Sequence, residues 1–282
     1  MTTFDNTRSD YQLPDISVVM SCFNEEEIVG YTISQLVTAF EKSGYRLELV
    51  AVDNGSWDRT GEIIRDWASR NPSILYHRVE KNVGYGNGVL SGIPLCTARW
   101  VGINLADLPV EAQELVKLYE IAVNSKSPRL FKVRRRFRME GLFRRIVSTS
   151  YNLIATSFFG DLGTMDINAN PKILPRIYLQ RMNLGSKDWF LDLELTIKAK
   201  RMGLRIFETN VFAQMNPGRT SQVRAATCWE FATNLFKFRF GEGRKQLLVQ
   251  PLEEADMVTA SSTIHDSPAA CTKDAPHPRV SS

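Results

Sequence analysis

Long apolar runs are missing from this chain of 282 residues. Nowhere do about 18 apolar residues follow one another, so no membrane-crossing helix is expected. Residues 1–14 are polar and acidic and lack the apolar centre of a secretory signal. Cysteine is sparse and scattered: Cys22, Cys96, Cys228 and Cys271 form no C-x-x-C pair and have no histidine beside them. That spacing argues against a zinc site or a disulfide framework and fits reduced thiols in a cytoplasm. Histidine is rarer still, with His77 in an apolar segment and His265 and His277 near the chain end. No Gly-x-Ser-x-Gly is present, which disfavours a Ser/His/Asp hydrolase. No Gly-x-Gly-x-x-Gly follows the first apolar segment, which disfavours a dinucleotide-dependent dehydrogenase. The net charge of +4 is mild, and with no reading motif it makes nucleic acid an unexpected partner.

What is present is alternation. Residues 16–22, 47–52, 74–79 and 100–105 read as short buried strands, and residues 29–40, 58–67 and 111–123 as helices, with Asp58 a candidate N-cap. Strands alternating with helices predict an α/β domain with a mostly parallel sheet covered on both faces. Ligands bind such sheets at the carboxyl ends of the strands. In the second half, residues 141–159 read as an amphipathic helix, and 189–202 as a helix stopped by Gly203. Residues 205–211 read as a strand and 227–240 as an aromatic-rich helix. From residue 251 the chain is rich in Ser, Thr, Ala and Pro without periodicity. The expected layout is an extension over 1–14, one domain over 15–245 and a disordered tail over 246–282, with no internal repeats.

Three polar clusters follow three of the expected strands: Ser21-Cys22-Phe23-Asn24-Glu25-Glu26, Asp53-Asn54-Gly55-Ser56-Trp57-Asp58, and Asn104-Leu105-Ala106-Asp107. Between the second and third lies Gly84-Tyr85-Gly86-Asn87-Gly88, a glycine-rich turn opening a helix. An acid at a strand end can accept hydrogen bonds from a nucleobase or ribose. A glycine-rich turn lets backbone N–H groups approach phosphate, and an acid beside a diphosphate can hold a divalent cation. Each cluster alone has a plain alternative: Asp53 as a turn or helix-cap residue, the glycines as a simple turn, and Glu26 and Glu27 as an acidic first helical turn. Their order along one α/β chain carries the weight.

In that order the sequence resembles the family 2 glycosyltransferases, and within them the polyprenyl- or dolichyl-phosphate mannose synthase-like group. The resemblance spans roughly residues 15–224 and rests on VVMSCFNEEE, VAVDNGSWDRT, NVGYGNGVLSGI, ADLPVE, MDINANPKIL and WFLDLELTIKAKRMGLRIFE. It implies a GT-A fold and inverting transfer from a UDP- or GDP-linked sugar. The donor-binding set it implies is Phe23, Asn24, Glu25, Asp53, Asn54, Gly84, Tyr85, Gly86 and Asn87. Asp107 would meet metal or diphosphate. MDINANPK resembles the segment on the acceptor side, which makes Asp166 and Lys172 candidates there. Asp192 is the candidate base if the acceptor is a hydroxyl, with Glu194 structural. Gly218-Arg219-Thr220-Ser221 resembles a mobile loop that brings Arg219 to the diphosphate.

One departure stands out. The family's Asp-Ala-Asp-Leu-Gln reads Leu105-Ala106-Asp107-Leu108-Pro109 here, so two expected oxygen ligands are gone. Mg2+ or Mn2+ is therefore in doubt as a cofactor. Three readings stand open: a weak site at Asp107, replacement of the metal by arginines, or loss of transfer in a nucleotide-sugar-binding protein. The favoured one is retained activity with a weak or absent metal. Between Arg129 and Arg145 lie eight Arg or Lys residues and one acid, Glu140. Arg134, Arg136, Arg138, Arg144 and Arg145 suit a lipid-phosphate head group, with Phe137, Leu142, Phe143, Ile146 and Val147 at a membrane surface. The plain alternative is a solvated basic face. The expected acceptor is a polyprenyl phosphate or a cell-envelope glycan, and the chain is expected in the cytoplasm, with a peripheral position on the inner face of the membrane open to it.

Overall fold

The structure, a computed structural model, describes residues 13–107, 110–138, 142–213, 225–241, 245 and 247–249. For residues 136–138, 142–149, 213 and 225–232 it describes the backbone alone. Seven strands form one sheet in the order β3-β2-β1-β4-β6-β5-β7. They are β1 (Ile16–Cys22), β2 (Leu47–Asp53), β3 (Ile74–Arg78), β4 (Trp100–Leu105), β5 (Arg129–Arg138), β6 (Lys172–Pro175) and β7 (Arg205–Ala213). Every pairing is parallel except those of β6, which runs antiparallel to β4 and β5. The sheet is thus mostly parallel, as the alternation predicts.

The strand sequences explain their burial. A strand covered on both faces needs apolar side chains pointing both ways. Ile16, Val18 and Met20 of β1 pack toward α1 (Val29–Ser43) and α4 (Ala112–Val123), together with Phe40, Trp100 and Tyr119. Val19, Val50, Val52, Val101 and Ile103 pack on the other side with Val89, Leu179, Leu191 and Leu195. The latter four belong to α3 (Tyr85–Gly92), α6 (Arg176–Met182) and α7 (Leu191–Arg201). Each large apolar side chain so buried is worth about 2–3 kcal/mol of transfer free energy. A third, smaller cluster joins α5 (Leu142–Phe159), α7 and α8 (Ala225–Phe240) through Tyr151, Phe190, Leu193, Leu235 and Phe238. No described helix is long and apolar enough to cross a membrane.

Parallel register lines up the strand ends. Cys22 pairs with Asp53, and Ser21 with Leu105, so the three polar clusters leave the sheet along one edge. Helix α2 (Thr60–Arg70) starts two residues later than expected, and Asp58 accepts the Thr60 N–H at 3.0 Å from just outside it. Gly203, at φ 79°, ends α7 in the left-handed region that glycine tolerates. The basic run departs most from expectation. Residues 129–138 form a strand between β6 and β7, with a bulge between Arg135 and Phe137. Leu108, Pro109, Gly218 to Ser221 and the expected tail from 250 on lie outside the described residues, as do the side chains of Arg136, Arg138, Arg144 and Arg145.

Candidate functional site

At the end of β1 the chain turns sharply. Asn24 sits at φ 53°, and its side chain accepts the Trp57 N–H at 3.1 Å while its own N–H donates to Ser56 Oγ at 3.1 Å. Asparagine tolerates this backbone region because its short amide bonds locally. The Glu25 N–H donates to Thr60 Oγ1 at 2.7 Å, and the Glu26 carboxylate accepts the Arg59 N–H at 3.1 Å. The first two strand-end loops are thus laced together by backbone bonds to short polar side chains. Glu26 and Glu27 precede α1, whose first turn holds no acid, so the acidic-helical-turn reading of these two is corrected. Trp57 stays 81% exposed and meets Phe23 edge-on, with ring centroids 5.0 Å apart.

Asp53 is fully buried at the end of β2. It accepts the Ser56 N–H at 2.9 Å and the guanidinium of Arg78. Its turn-forming role is thereby visible. Gly61 leaves it room, because a Cβ there would lie 2.3 Å from Asp53 Oδ2. Asn54 donates to the Gly84 carbonyl at 2.9 Å and to Asn82 Oδ1 at 3.3 Å. Asn54 Oδ1 and Asn104 Nδ2 are buried with no hydrogen-bond partner among the described residues. Buried polar atoms are ordinarily satisfied, so these two stand out beside the strand-end edge.

The glycine-rich segment has a visible packing task. A Cβ on Gly84 would lie 2.3 Å from the Lys187 carbonyl oxygen, and one on Gly86 2.3 Å from that of Ser186. The Asn87 N–H donates to the Lys187 carbonyl at 2.9 Å, and Tyr85 stacks on Trp189 with centroids 4.7 Å apart. Gly88 faces Ser21 and Asn54 at similarly short range. These glycines let residues 186–188 lie directly on the start of α3. Burial pushes the Tyr85 hydroxyl well above its ordinary pKa, with the negative charges of Asp192 and Asp107 adding to the effect. Asp107 follows β4 at a turn that α1 anchors, where Thr32 Oγ1 donates to the Ala106 carbonyl at 2.6 Å.

The acceptor-side candidates all lie in buried ion pairs. Lys172 is fully buried; its Nζ stands 2.6 Å from Asp192 Oδ1 and 3.3 Å from Asn170 Oδ1. Asp192 is 1% exposed, and its Oδ2 has no partner among the described residues. Asp166 grips Arg135 with both carboxylate oxygens, at 3.0 and 2.9 Å. Lys172 and Asp166, both expected on the acceptor side, are thus buried and paired with neighbouring charges. Beside Lys172 in the strand register lies Lys132, equally buried. It donates to Thr164 Oγ1 at 3.0 Å and to the Asp166 and Ile167 carbonyls, with Glu208 3.5 Å away. Burial, and then the Lys172 charge, pull Lys132 down to about 7. Sequence reasoning missed Lys132, Glu208 and the Arg135–Asp166 clamp, because each partner lies at least 31 residues away.

Glu194 is structural, as expected. Fully buried, it accepts the Ser186 N–H at 2.8 Å and pairs with Lys198 at 2.7 Å.

Among the described residues no three His, Cys, Asp or Glu side chains gather closely enough to hold a metal ion. Asp107 alone, with Leu105 one strand position before its turn, does not fit a divalent cation held by protein groups.

A family profile described as "Glycosyl transferase family 2" matches residues 17–171. An undecaprenyl-phosphate 4-deoxy-4-formamido-L-arabinose transferase of Pectobacterium atrosepticum is 29% identical over 143 residues, 50% of this chain and 43% of that protein. The chain thus matches less than half the length of that curated relative. A dolichyl-phosphate beta-glucosyltransferase of Trichomonas vaginalis is 25% identical over 246 residues, 79% of this chain and 72% of that one. Among solved structures, the UDP complex of glucosyl-3-phosphoglycerate synthase from Mycobacterium tuberculosis superposes with a TM-score of 0.62 at 18% identity, covering 79% of each chain. That enzyme is also solved with Mn2+ and UDP. Mannosyl-3-phosphoglycerate synthase from Rubrobacter xylanophilus gives 0.66 at 15% identity, covering 86% of this chain and 78% of that one. At such identities the structural matches establish the fold.

Proposed function

The chain belongs to glycosyl transferase family 2, and on that premise we propose that it is an inverting glycosyltransferase moving a sugar from a UDP- or GDP-linked donor to a polyprenyl phosphate. The strand-end edge takes the donor. Phe23 and Trp57 offer the nucleobase an aromatic face, the Asn24–Asp53–Asn54 turn meets the nucleoside, and Asp107 lies toward the diphosphate. Direct displacement at the anomeric carbon inverts it. Arginines of the run, Arg134 among them, take up the charge of the departing diphosphate. Arg136, Arg138, Arg145 and Arg219 are proposed to share that work or to hold the acceptor phosphate. A divalent cation, where it assists, is held chiefly by the donor itself.

The observation that carries the acceptor assignment is the buried Lys172–Asp192 pair. A hydroxyl acceptor needs a positioned base, and the acid best suited by sequence is buried and paired through Oδ1 with Lys172. A phosphate monoester, with a second pKa of about 6, arrives already ionised. The undecaprenyl-phosphate and dolichyl-phosphate transferases reported above are named for lipid phosphates, which supports the same choice. The outer face of α5 and α8 supports a membrane-side acceptor. Ile154 and Phe158 lie one turn apart, and Phe158 meets Phe236 and Phe240 at 6.0 and 5.8 Å, beside exposed Lys237 and Arg239. Aromatics with flanking cations suit an interface with anionic lipid.

The test is transfer from a panel of UDP- and GDP-sugars to polyprenyl phosphate and, separately, to the matching polyprenol. Sugar on the phosphate alone is the expected result. Sugar on the polyprenol would overturn the acceptor assignment. Nucleotide-sugar binding with no transfer to either would point to a binding protein.

A further inference from the structure

Residues 185–189 lie between α8 and the donor edge, and two clamps hold them. The first comes from α7: Glu194 accepts the Gly185 N–H at 3.1 Å and the Ser186 N–H at 2.8 Å. The second comes from α8: Asn234 Nδ2 donates to Asp188 Oδ2 at 2.6 Å, while Asp188 Oδ1 accepts the Phe190 N–H at 2.8 Å. Phe190 in turn stacks on Phe238 of α8, with centroids 3.9 Å apart and planes at 11°. On its other side the same loop is pressed onto Gly84 and Gly86, bonded to the Asn87 N–H and stacked through Trp189 on Tyr85.

We infer that Asn234 and Phe238 are positioning residues: α8 sets where the 185–189 loop rests on the glycine-rich start of α3, and so the shape of the donor edge. The physical case is one of clearances. Backbone to backbone, the loop and α3 are as close as glycine permits, so a shift of a few tenths of an ångström at Asp188 cannot be absorbed at the contact. It must appear in Tyr85, Asn87 and the Asn54–Gly84 bond. Asn234→Asp188 is charge-assisted and half-buried, the kind of bond that holds such a position. The opposite face of α8 exposes Phe236 at 61% and Phe240 at 64%. Seating of that face therefore bears on the donor edge through one side-chain pair. The link itself stands on geometry; its functional consequence rests on the donor reading above.

Amide hydrogen exchange on the full chain tests the link without any ligand. Asn234→Leu should speed exchange at the Asn87, Gly185, Ser186 and Phe190 amides by about tenfold, leaving β1 and β2 amides unchanged. The exchanged pair Asn234→Asp with Asp188→Asn should restore protection, since donor and acceptor merely trade places. Unchanged exchange at those four amides would overturn the inference. So would a uniform rise across the molecule, the mark of a merely structural loss. Titration of UDP and of GDP is the second reading: whichever the wild type binds should bind about tenfold more weakly to Asn234→Leu and recover in the exchanged pair. A wild type that binds neither nucleotide sinks the donor reading, and the exchange data still decide the link.

Discussion

The two halves of the sheet solve different problems. In β1 to β4 the core is mostly apolar, and its buried carboxylate, Asp53, lies at a strand end, where short side chains bond backbone N–H groups. In β5 to β7 polarity runs through the interior: Lys132, Lys172, Asp166 and Asp192 are all buried, and each charge is met by an opposite one. The second half depends on its charges to hold together. A buried ion pair is costly to break because the survivor is stranded in a medium that solvates it poorly. The contrast sets the expected donor residues at the strand ends apart from Lys172 and Asp166, which lie buried in ion pairs.

The largest effect expected from this contrast is at Lys172. Lys172→Met should cost about 4 kcal/mol in denaturant unfolding by stranding Asp192, and adding Asp192→Leu should recover most of it. Recovery is the informative half, since it shows the pair to be dispensable packing. On the donor side, Gly86→Ala should cost about 2 kcal/mol, because its Cβ would meet the Ser186 carbonyl, and should weaken nucleotide binding as well. A loss of stability with unchanged affinity would separate the loop contact from the donor edge.

The next effect is pH dependence. Lys132 is lowered to about 7 when folded, against an ordinary lysine pKa of 10.5, so above pH 7 the unfolded chain binds the extra proton. Stability should therefore rise with pH from 7 toward 10, by about 1 kcal/mol between pH 7 and 8. Lys172 is lowered too and acts in the same direction. The buried tyrosines, Tyr85 and Tyr151 among them, have raised values and oppose further gain above about pH 10. Lys132→Met should flatten the rise, as thermal melts at pH 7 and 9 would reveal. The smallest effect is at the surface, where Arg46→Ala removes a bridge to Asp15 and should cost about 0.5 kcal/mol.

Legibility followed the same division. Strands β1, β2 and β4 could be read because apolar runs such as LELVAV announce themselves and the polar residues that end them fall on the ligand edge. Strand β5 was hidden because RLFKVRRRFR looks like a basic surface. Its buried lysine is explained only by Thr164, Asp166, Ile167 and Glu208, which no local pattern can supply. The four-residue strand β6 and the short helix α6 were missed for want of length. The glycines of 84–88 were visible, but the loop they accommodate comes from a hundred residues further along, roughly the span that local reasoning cannot cross.

The most direct measurement is turnover on polyprenyl phosphate by two folded variants, Asp53→Ala and the double variant Lys172→Met with Asp192→Leu. If the donor half holds the nucleotide and the acceptor needs no base, Asp53→Ala should lose donor binding and turnover, while the double variant keeps turnover within about tenfold of wild type. A double variant that melts like wild type and binds donor yet transfers nothing would make Asp192 the base, and the acceptor a hydroxyl.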